Sequence, residues 1–402
     1  MKYAGLRSFA LAAVASLSMA LPVTAAAQAA KEPVKIGLLL SFSGAIAESG
    51  YNARLGANIA AREINAAGGL LGRPIVLVEG DDQSNPTNTV SEVRRLVQRE
   101  KVEAMIGPLS SQLVLAALPI TTEAKIPHFS VSGSLAITPQ VGPYHFSILP
   151  SALSQGGGMV DYVRDGMHAK SVAMLTDLGG QGKSAAEVIK AGLAKSQITL
   201  TGAEEYDAGT TTDMTPQLLN LRRGNPEVLM IFTQAGSDTG TIIKNLGELG
   251  WNIKVVGNFS VIAGTSGPMK IAGPNAYDNV VGSNYKSFVY CAGDRPGSSD
   301  YAQLIQKVKA ADPGKITQLS PATVSYIYDA MYALKAGVEG ANSMEGPKVA
   351  AWLEANASRV RVTAGPLNAS KTNHFLVGPD ALGMVEHPEK VRADGLAKRA
   401  GC

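Results

Sequence analysis

The stretch SVAMLTDLGGQGKSAAEVIKAGLAKSQITLTGAE, residues 171–204, decides the fold. Its two short apolar runs, SVAMLT (171–176) and ITLTGAE (198–204), read as strands, and residues 182–195 between them read as a helix. Strand, helix and strand in so short a span form a crossover unit, in which the strands run parallel and the helix packs back on the sheet.

The alternation continues in both directions. Upstream lie VKIGLLL (34–40), a helix over 49–67 stopped by Gly68-Gly69, and PIVLVEGDD (74–82). A helix opened by Asn85 or Thr87 follows, with Val90, Val93 and Val97 on one face. VEAMIG (102–107), a helix from about Ser111 to Ala124, and HFSVS (128–132) complete this half. The pattern pauses near 148–154 and restarts with a helix over 155–167. Downstream of 204 come a helix at 214–223, EVLMIF (227–232), a helix at 237–249, IKVVG (253–257) and a helix at 261–272. From 280 it loosens into a loop-rich piece (283–298). A helix carrying Leu304, Ile305, Val308 and Ala311 follows, then helices near 321–340 and 347–355, and HFLVG (374–378) as an expected strand. The fold class is therefore α/β: two Rossmann-like parallel sheets covered by helices, with a boundary near residue 150.

Length and composition agree. A chain of 402 residues exceeds what one core usually supports. With 45% hydrophobic and 17% charged residues it is neither disordered nor a coiled coil. The net charge of +3 falls to about +1 once Lys2 and Arg7 are removed with a leader, so no nucleic-acid partner is expected. That leader is residues 1–29: Lys2 and Arg7, an apolar stretch from Phe9 to Leu21, then TAAAQAA, with cleavage after Ala29. The apolar stretch is shorter than the roughly 20 residues a membrane span needs. Export also permits Cys291 and Cys402 to form a bridge, the alternative being two unpaired thiols.

Catalytic patterns are weak. The five histidines carry no metal-ligand spacing, and no G-x-S-x-G turn precedes a helix. GGQGKS (179–184) ends like a phosphate loop, but Asp177 stands where its first glycine should be. Asp81-Asp82 lacks a base, metal or nucleophile nearby, so a solvated or helix-capping role is expected. No enzyme, metal or cofactor is expected. Hydroxyls at strand ends stand out instead: Ser110 and Ser111 in GPLSSQ (107–112), and Ser132 and Ser134 in SVSGS (130–134). Both turns precede helices, and helix N-termini with serine donors form a seat for an anion.

KIGLLLSFSG, REINAAGGLLGRPI, VEGDDQSNP, IGPLSSQ, IPHFSVSGS and SYIYDAMYALKAG (325–337), in this order, resemble the periplasmic solute-binding proteins of the branched-chain amino acid type, which serve ABC importers. The resemblance implies two lobes joined by three crossings: 31–150 with 284–358, and 151–283 with 359–402. It implies capture of a small carboxylate-bearing solute in the cleft, delivery to a membrane permease, a periplasmic location and a monomer. Ser111 matches the serine that holds the solute carboxylate, Ser134 a second carboxylate contact and Ser132 a backbone contact; Ser110 adjoins them. The loop Ser41–Ala45, including Ser43, is implied to close over the ligand. Gly179, Gln234, Phe259 and Tyr285 complete the set, from or beside the second-lobe turns.

Two departures leave the ligand open. Gly179-Gly180 stands where amino-acid binders usually carry an aromatic, and Asn258-Phe259-Ser260 where an acid often pairs with the ammonium. Asp177 or Asp238 could substitute for that acid; alternatively, a flat aromatic acid could fill the site. A sensor signalling to a membrane receptor, or a binder of amides or urea, are the other readings.

Overall fold

The structure, a computed structural model, describes residues 31–263, 265–312 and 321–402. The expected leader lies outside the described residues. The first sheet contains β1 (Val34–Leu40), β2 (Ile75–Asp81), β3 (Ala104–Ile106), β4 (His128–Ser130) and β5 (His145–Ser147), in the order β2-β1-β3-β4-β5. All its pairings are parallel. Between them run α1 (Ala47–Ala66), α2 (Pro86–Arg94) and α3 (Ser111–Glu123). Asn85 does cap α2, its side chain accepting from the Thr87 amide at 2.8 Å.

After α4 (Ala152–Asp161) the second sheet begins with β6 (Ser171–Asp177), α5 (Gly180–Lys195) and β7 (Thr199–Tyr206). It continues through α6 (Thr215–Arg222), β8 (Val228–Phe232), α7 (Gly236–Glu248) and β9 (Lys254–Gly257). The single helix expected at 261–272 is two, α8 (Phe259–Ala263) and α9 (Ser266–Ala272). β10 (Val280–Tyr285) and β11 (Val289–Tyr290) precede α10 (Asp300–Ala311), α11 (Pro321–Ala341) and α12 (Gly346–Asn356). The tail adds β12 (Arg361–Val362), β13 (Gly365–Pro366), β14 (Leu382–Glu386) and β15 (Ala397–Lys398). The second sheet has the order β14-β10-β9-β8-β6-β7, parallel except where β14 runs against β10.

Central strands buried on both faces explain the unbroken apolar runs in the sequence. Leu38, Leu39 and Leu40 of β1, and Leu229, Met230 and Ile231 of β8, are fully buried. Each such side chain contributes roughly 1.5–3 kcal/mol of burial. α10, α11 and α12 return to the first sheet: Leu304, Ile327, Leu334 and Leu353 join the core that holds Ile36 and Leu38. Here α1 and α11 approach so closely that a Cβ on Gly56 would lie 2.1 Å from the Val324 carbonyl oxygen. The tail divides later than the expected boundary at 359. Val362, Leu367 and Leu376 remain in the first core, and only β14 joins the second sheet. HFLVG is not a strand; Phe375 makes one isolated bridge to Ser147, through the Ser147 amide to the His374 carbonyl and the Leu376 amide to the Ser147 carbonyl.

Cys291 and Cys402 are joined by a disulfide. It follows the short β11–β15 pairing, where the Arg392 guanidinium also stacks 4.0 Å from the centre of the Tyr290 ring. Closing a loop of 111 residues restricts the unfolded chain. Reduction, or Cys402→Ser, is expected to lower stability by about 2–4 kcal/mol in denaturant unfolding. Midpoints that coincide with and without reductant would refute that role.

Three histidines, far apart in sequence, gather beside the first sheet. His128 donates from Nε2 to the Gly107 carbonyl at 2.6 Å while its Nδ1 faces the Thr121 hydroxyl at 3.1 Å; the His145 ring lies 5.0 Å away, and His374 Nδ1 donates to the His145 carbonyl at 2.9 Å. Burial lowers the His128 pKa to about 4 from 6.5. The unfolded chain therefore binds the proton first, and stability falls as pH drops from about 6.5 to about 4. His128 alone would account for about 3 kcal/mol over that window. Imidazole NMR should find it neutral at pH 6, and titration near 6.5 would contradict this.

Candidate functional site

In a parallel sheet every strand-to-helix turn lies at the same edge. Here the turns after β1, β3, β4, β6, β8 and β9 of the two sheets face one another around a cavity of about 280 Å³. α3, α5 and α7 all open their first turns into it, through Ser110–Ser111, Gly180–Gln181 and Ala235–Ser237. None of the three receives a side-chain cap. Their amide N–H groups and the positive ends of their dipoles therefore remain available to a ligand.

Ser110 occupies the N-cap position of α3, yet its hydroxyl makes no cap hydrogen bond and is buried without a partner. The Ser111 hydroxyl is held differently. It accepts from the Ser132 hydroxyl at 3.0 Å and from the Ser134 amide at 3.3 Å. A hydroxyl has two acceptor positions and one proton, so with both positions filled its proton is left to donate. Ser132 is itself fixed, because its amide donates to the Ser147 hydroxyl, which donates back to the Ser132 carbonyl.

From the second lobe Gln181 reaches across. A Cβ on Gly133 would stand 2.3 Å from its Nε2, so the glycine leaves room for a contact between the lobes. That nitrogen has no hydrogen-bond partner. Ile46, Leu109, Val131, Leu149, Phe259 and Tyr326 supply apolar wall. Glu48, exposed on the first turn of α1, is the sole charged residue of the lining.

Of the expected residues, Ser110, Ser111, Gln234 and Phe259 line the cavity. Ser132 and Ser134 stand behind Ser111 rather than in the wall. Gly179 flanks it, with Gly180 in the wall instead. Ser43 is drawn away: its hydroxyl donates to Asp81 at 2.9 Å and is exposed. Tyr285 is fully buried, its hydroxyl 3.3 Å from the Ile148 carbonyl, and it packs behind Phe259 with ring centres 5.1 Å apart. Asp82 is not solvated but buried, tying Ser41 to the Ser84 amide. Glu48, Asn52, Thr323 and Tyr326 escaped the sequence reading: Glu48 and Asn52 lie just past the β1 turn, in the opening turns of α1, and Thr323 and Tyr326 on α11, which returns from far along the chain.

Neither candidate acid reaches the cavity. Asp238 is bound by the Gly209 amide at 3.1 Å, and Asp177 by the Gly179 amide at 2.8 Å. Burial, with Asp238 nearby, raises the Asp177 pKa to about 6, and its second oxygen has no partner.

These features define a class: a two-lobed α/β binding protein with its ligand cavity between the lobes. The sequence profile of the periplasmic binding protein family matches residues 33–390, and the chain belongs to that family. The family is one of non-enzymatic solute-binding proteins, located in the periplasm or outside the cell. The chain is 27% identical over 314 residues to the Leu/Ile/Val-binding protein homolog 8 of Brucella suis biovar 1, covering 74% of this chain and 75% of that one. It shares its fold with the branched-chain amino acid binding protein LivJ of Streptococcus pneumoniae, solved with isoleucine (TM-score 0.77, 20% identity, 92% of this chain and 99% of that one). It is also similar to a Rhodopseudomonas palustris solute-binding protein of an ABC transporter, solved with 4-hydroxybenzoate (TM-score 0.75, 18% identity, 92% and 95%).

The Asp177 shift yields an expectation for stability. A folded pKa above the unfolded value means the folded state holds the proton more tightly, so this group's contribution is lost as pH rises from about 4 to about 6. Asp177→Asn removes that loss. Relative to the parent, the variant should gain about 3 kcal/mol between pH 4 and pH 7 in urea unfolding. A pH-independent difference between the two would refute the shift.

Proposed function

We propose that the protein is exported through its N-terminal leader, captures a small aromatic or hydrophobic carboxylate by lobe closure, and delivers it to an ABC permease as a monomer. The observation that carries this is the convergence of three uncapped helix N-termini on a cavity that also holds unpartnered donors at Ser110 and Gln181. Such a site stabilises an anion without a basic side chain. In this reading the first lobe takes the carboxylate on Ser110 and Ser111, with Ser132 and Ser134 positioning Ser111. Gln181, Gln234 and Phe259 then cover the remainder, and closure is favoured because only the closed form touches both ends.

An α-amino acid fits less well. Its ammonium would find only the exposed Glu48, since Asp177 and Asp238 are held outside the cavity. A flat ring against Phe259 and Tyr326 needs no such partner. The 4-hydroxybenzoate-bound structure shows that this fold can serve such a solute, while the isoleucine-bound one keeps amino acids as the second reading.

Calorimetry with 4-hydroxybenzoate, benzamide, leucine and isoleucine separates these readings. The benzoate should bind at least tenfold more tightly than benzamide and than either amino acid. Isoleucine binding more tightly would overturn the ligand class, and equal binding of benzamide would overturn the carboxylate seat. Ser111→Ala should weaken the benzoate by about 1–3 kcal/mol, and Ser132→Ala by less, since it removes orientation rather than a donor. Delivery is tested by solute uptake in cells lacking the gene. Uptake unchanged by the deletion would favour a sensing role.

A further inference from the structure

The glycine-rich turn GGQGKS (179–184), which only ends like a phosphate loop, meets the serine turn SVSGS (130–134) of the other lobe. Gly180, Gln181 and Ser184 belong to the opening of α5, in the second lobe; Gly133 and Leu135 follow β4, in the first. The Leu135 amide donates to the Ser184 hydroxyl at 3.2 Å, and that hydroxyl donates onward to the Gly180 carbonyl at 2.9 Å. The Gln181 side chain lies across Gly133: a Cβ there would stand 2.3 Å from its Nε2, 2.5 Å from Cδ and 3.0 Å from Cγ. Gly180 also sits close, its Cβ position 3.3 Å from the Ser134 hydroxyl and 3.7 Å from Ser111 Cβ. We propose that this contact is a latch, which holds the lobes closed without touching the ligand and makes Gly133, Leu135 and Ser184 positioning residues for the cavity. The latch presupposes that the ligand is taken by lobe closure.

Gly133, Leu135 and Ser184 do not line the cavity. What they change is therefore no ligand contact but the share of molecules in the closed form. When only that form binds, the apparent dissociation constant is the intrinsic one divided by the closed fraction. Loosening the latch then weakens every ligand of the cleft by one common factor, whereas a residue of the wall discriminates between ligands. The same turn carries the seat for the carboxylate. Ser134, whose amide donates to the Ser111 hydroxyl at 3.3 Å, stands between Gly133 and Leu135 in the chain. The Gly133 carbonyl in turn accepts from the amide of Ala152, the first residue of α4, at 2.7 Å. The second lobe thus grips this turn twice, at the start of α4 and along the start of α5. Gly133 does not have a positive φ, so its backbone accepts alanine and only the space under Gln181 would be lost.

Calorimetry and small-angle scattering on the mature chain test the latch, with 4-hydroxybenzoate, benzoate and isoleucine as probes. Ser184→Ala, a change that favours the helix, should weaken each probe the parent binds by about three- to tenfold, and by the same factor for all. Gly133→Ala should weaken them by roughly tenfold or more, again uniformly. Both variants should enlarge the radius of gyration of the chain measured without a probe. Gln181→Ala removes all three atoms that the new Cβ would meet, so Gly133→Ala placed on that background should cost nothing further. Unchanged affinities, losses that differ from probe to probe, or a Gly133→Ala loss that persists beside Gln181→Ala would overturn the latch and leave the ligand class standing. If no probe binds the parent and both variants still expand, the latch stands and the ligand class falls. A radius of gyration that does not move in either variant would overturn the latch.

Discussion

Strand direction is the constraint on which the rest of the structure depends. Because β1 and β3 run one way in the first sheet, and β6, β8 and β9 one way in the second, the helix after each must start at the same edge. Each start leaves backbone N–H groups without intrahelical partners. Two such edges facing one another produce a cavity lined by donors and by the positive ends of dipoles, with no basic residue in its wall. The small residues at the turns follow from this: Ser110, Ser111, Gly180 and Gly236 let a ligand approach the amides directly.

The two lobes contribute differently. The first holds a buried polar chain in which the Ser147 hydroxyl fixes the Ser132 backbone and the Ser132 hydroxyl donates to that of Ser111. Such networks are rigid when satisfied, so Ser111 presents its proton in one direction. The second lobe brings Gln181 past Gly133, and Phe259 from α8 packs on Tyr285 and Tyr326 across the junction. Three of the buried groups that lack partners, on Ser110, Gln181 and Tyr326, line the cavity, where a ligand could supply them. Tyr285 illustrates the limit of reading an aromatic as a contact: its ring supports the residue that lines the cavity.

Much of this was legible before any coordinates. Ser110, Ser111, Gln234 and Phe259 each follow a recognisable apolar strand, and strand-end turns are where such sheets bind ligands. Ser43 also follows a strand, yet Asp81 claims its hydroxyl, and nothing in the local pattern distinguishes that from exposure to a ligand. Asp177 and Asp238 had suitable positions in sequence but are turned to the amides of Gly179 and Gly209. The three buried histidines appeared scattered because their proximity arises from β4 pairing with β5 and from the returning tail.

By itself the sequence determined the alternation of strands and helices, the parallel direction that follows from short crossovers, and the serine-bearing turns at strand ends. These are local properties, set by periodicity and by backbone chemistry over a few residues. Only the tertiary structure decided which hydroxyls remain unpaired, that Cys291 meets Cys402, that residues 360–377 stay with the first core, and that Gln181 lies across Gly133. Those facts depend on segments far apart in the chain competing for the same hydrogen bonds and the same space. No window of sequence records that competition.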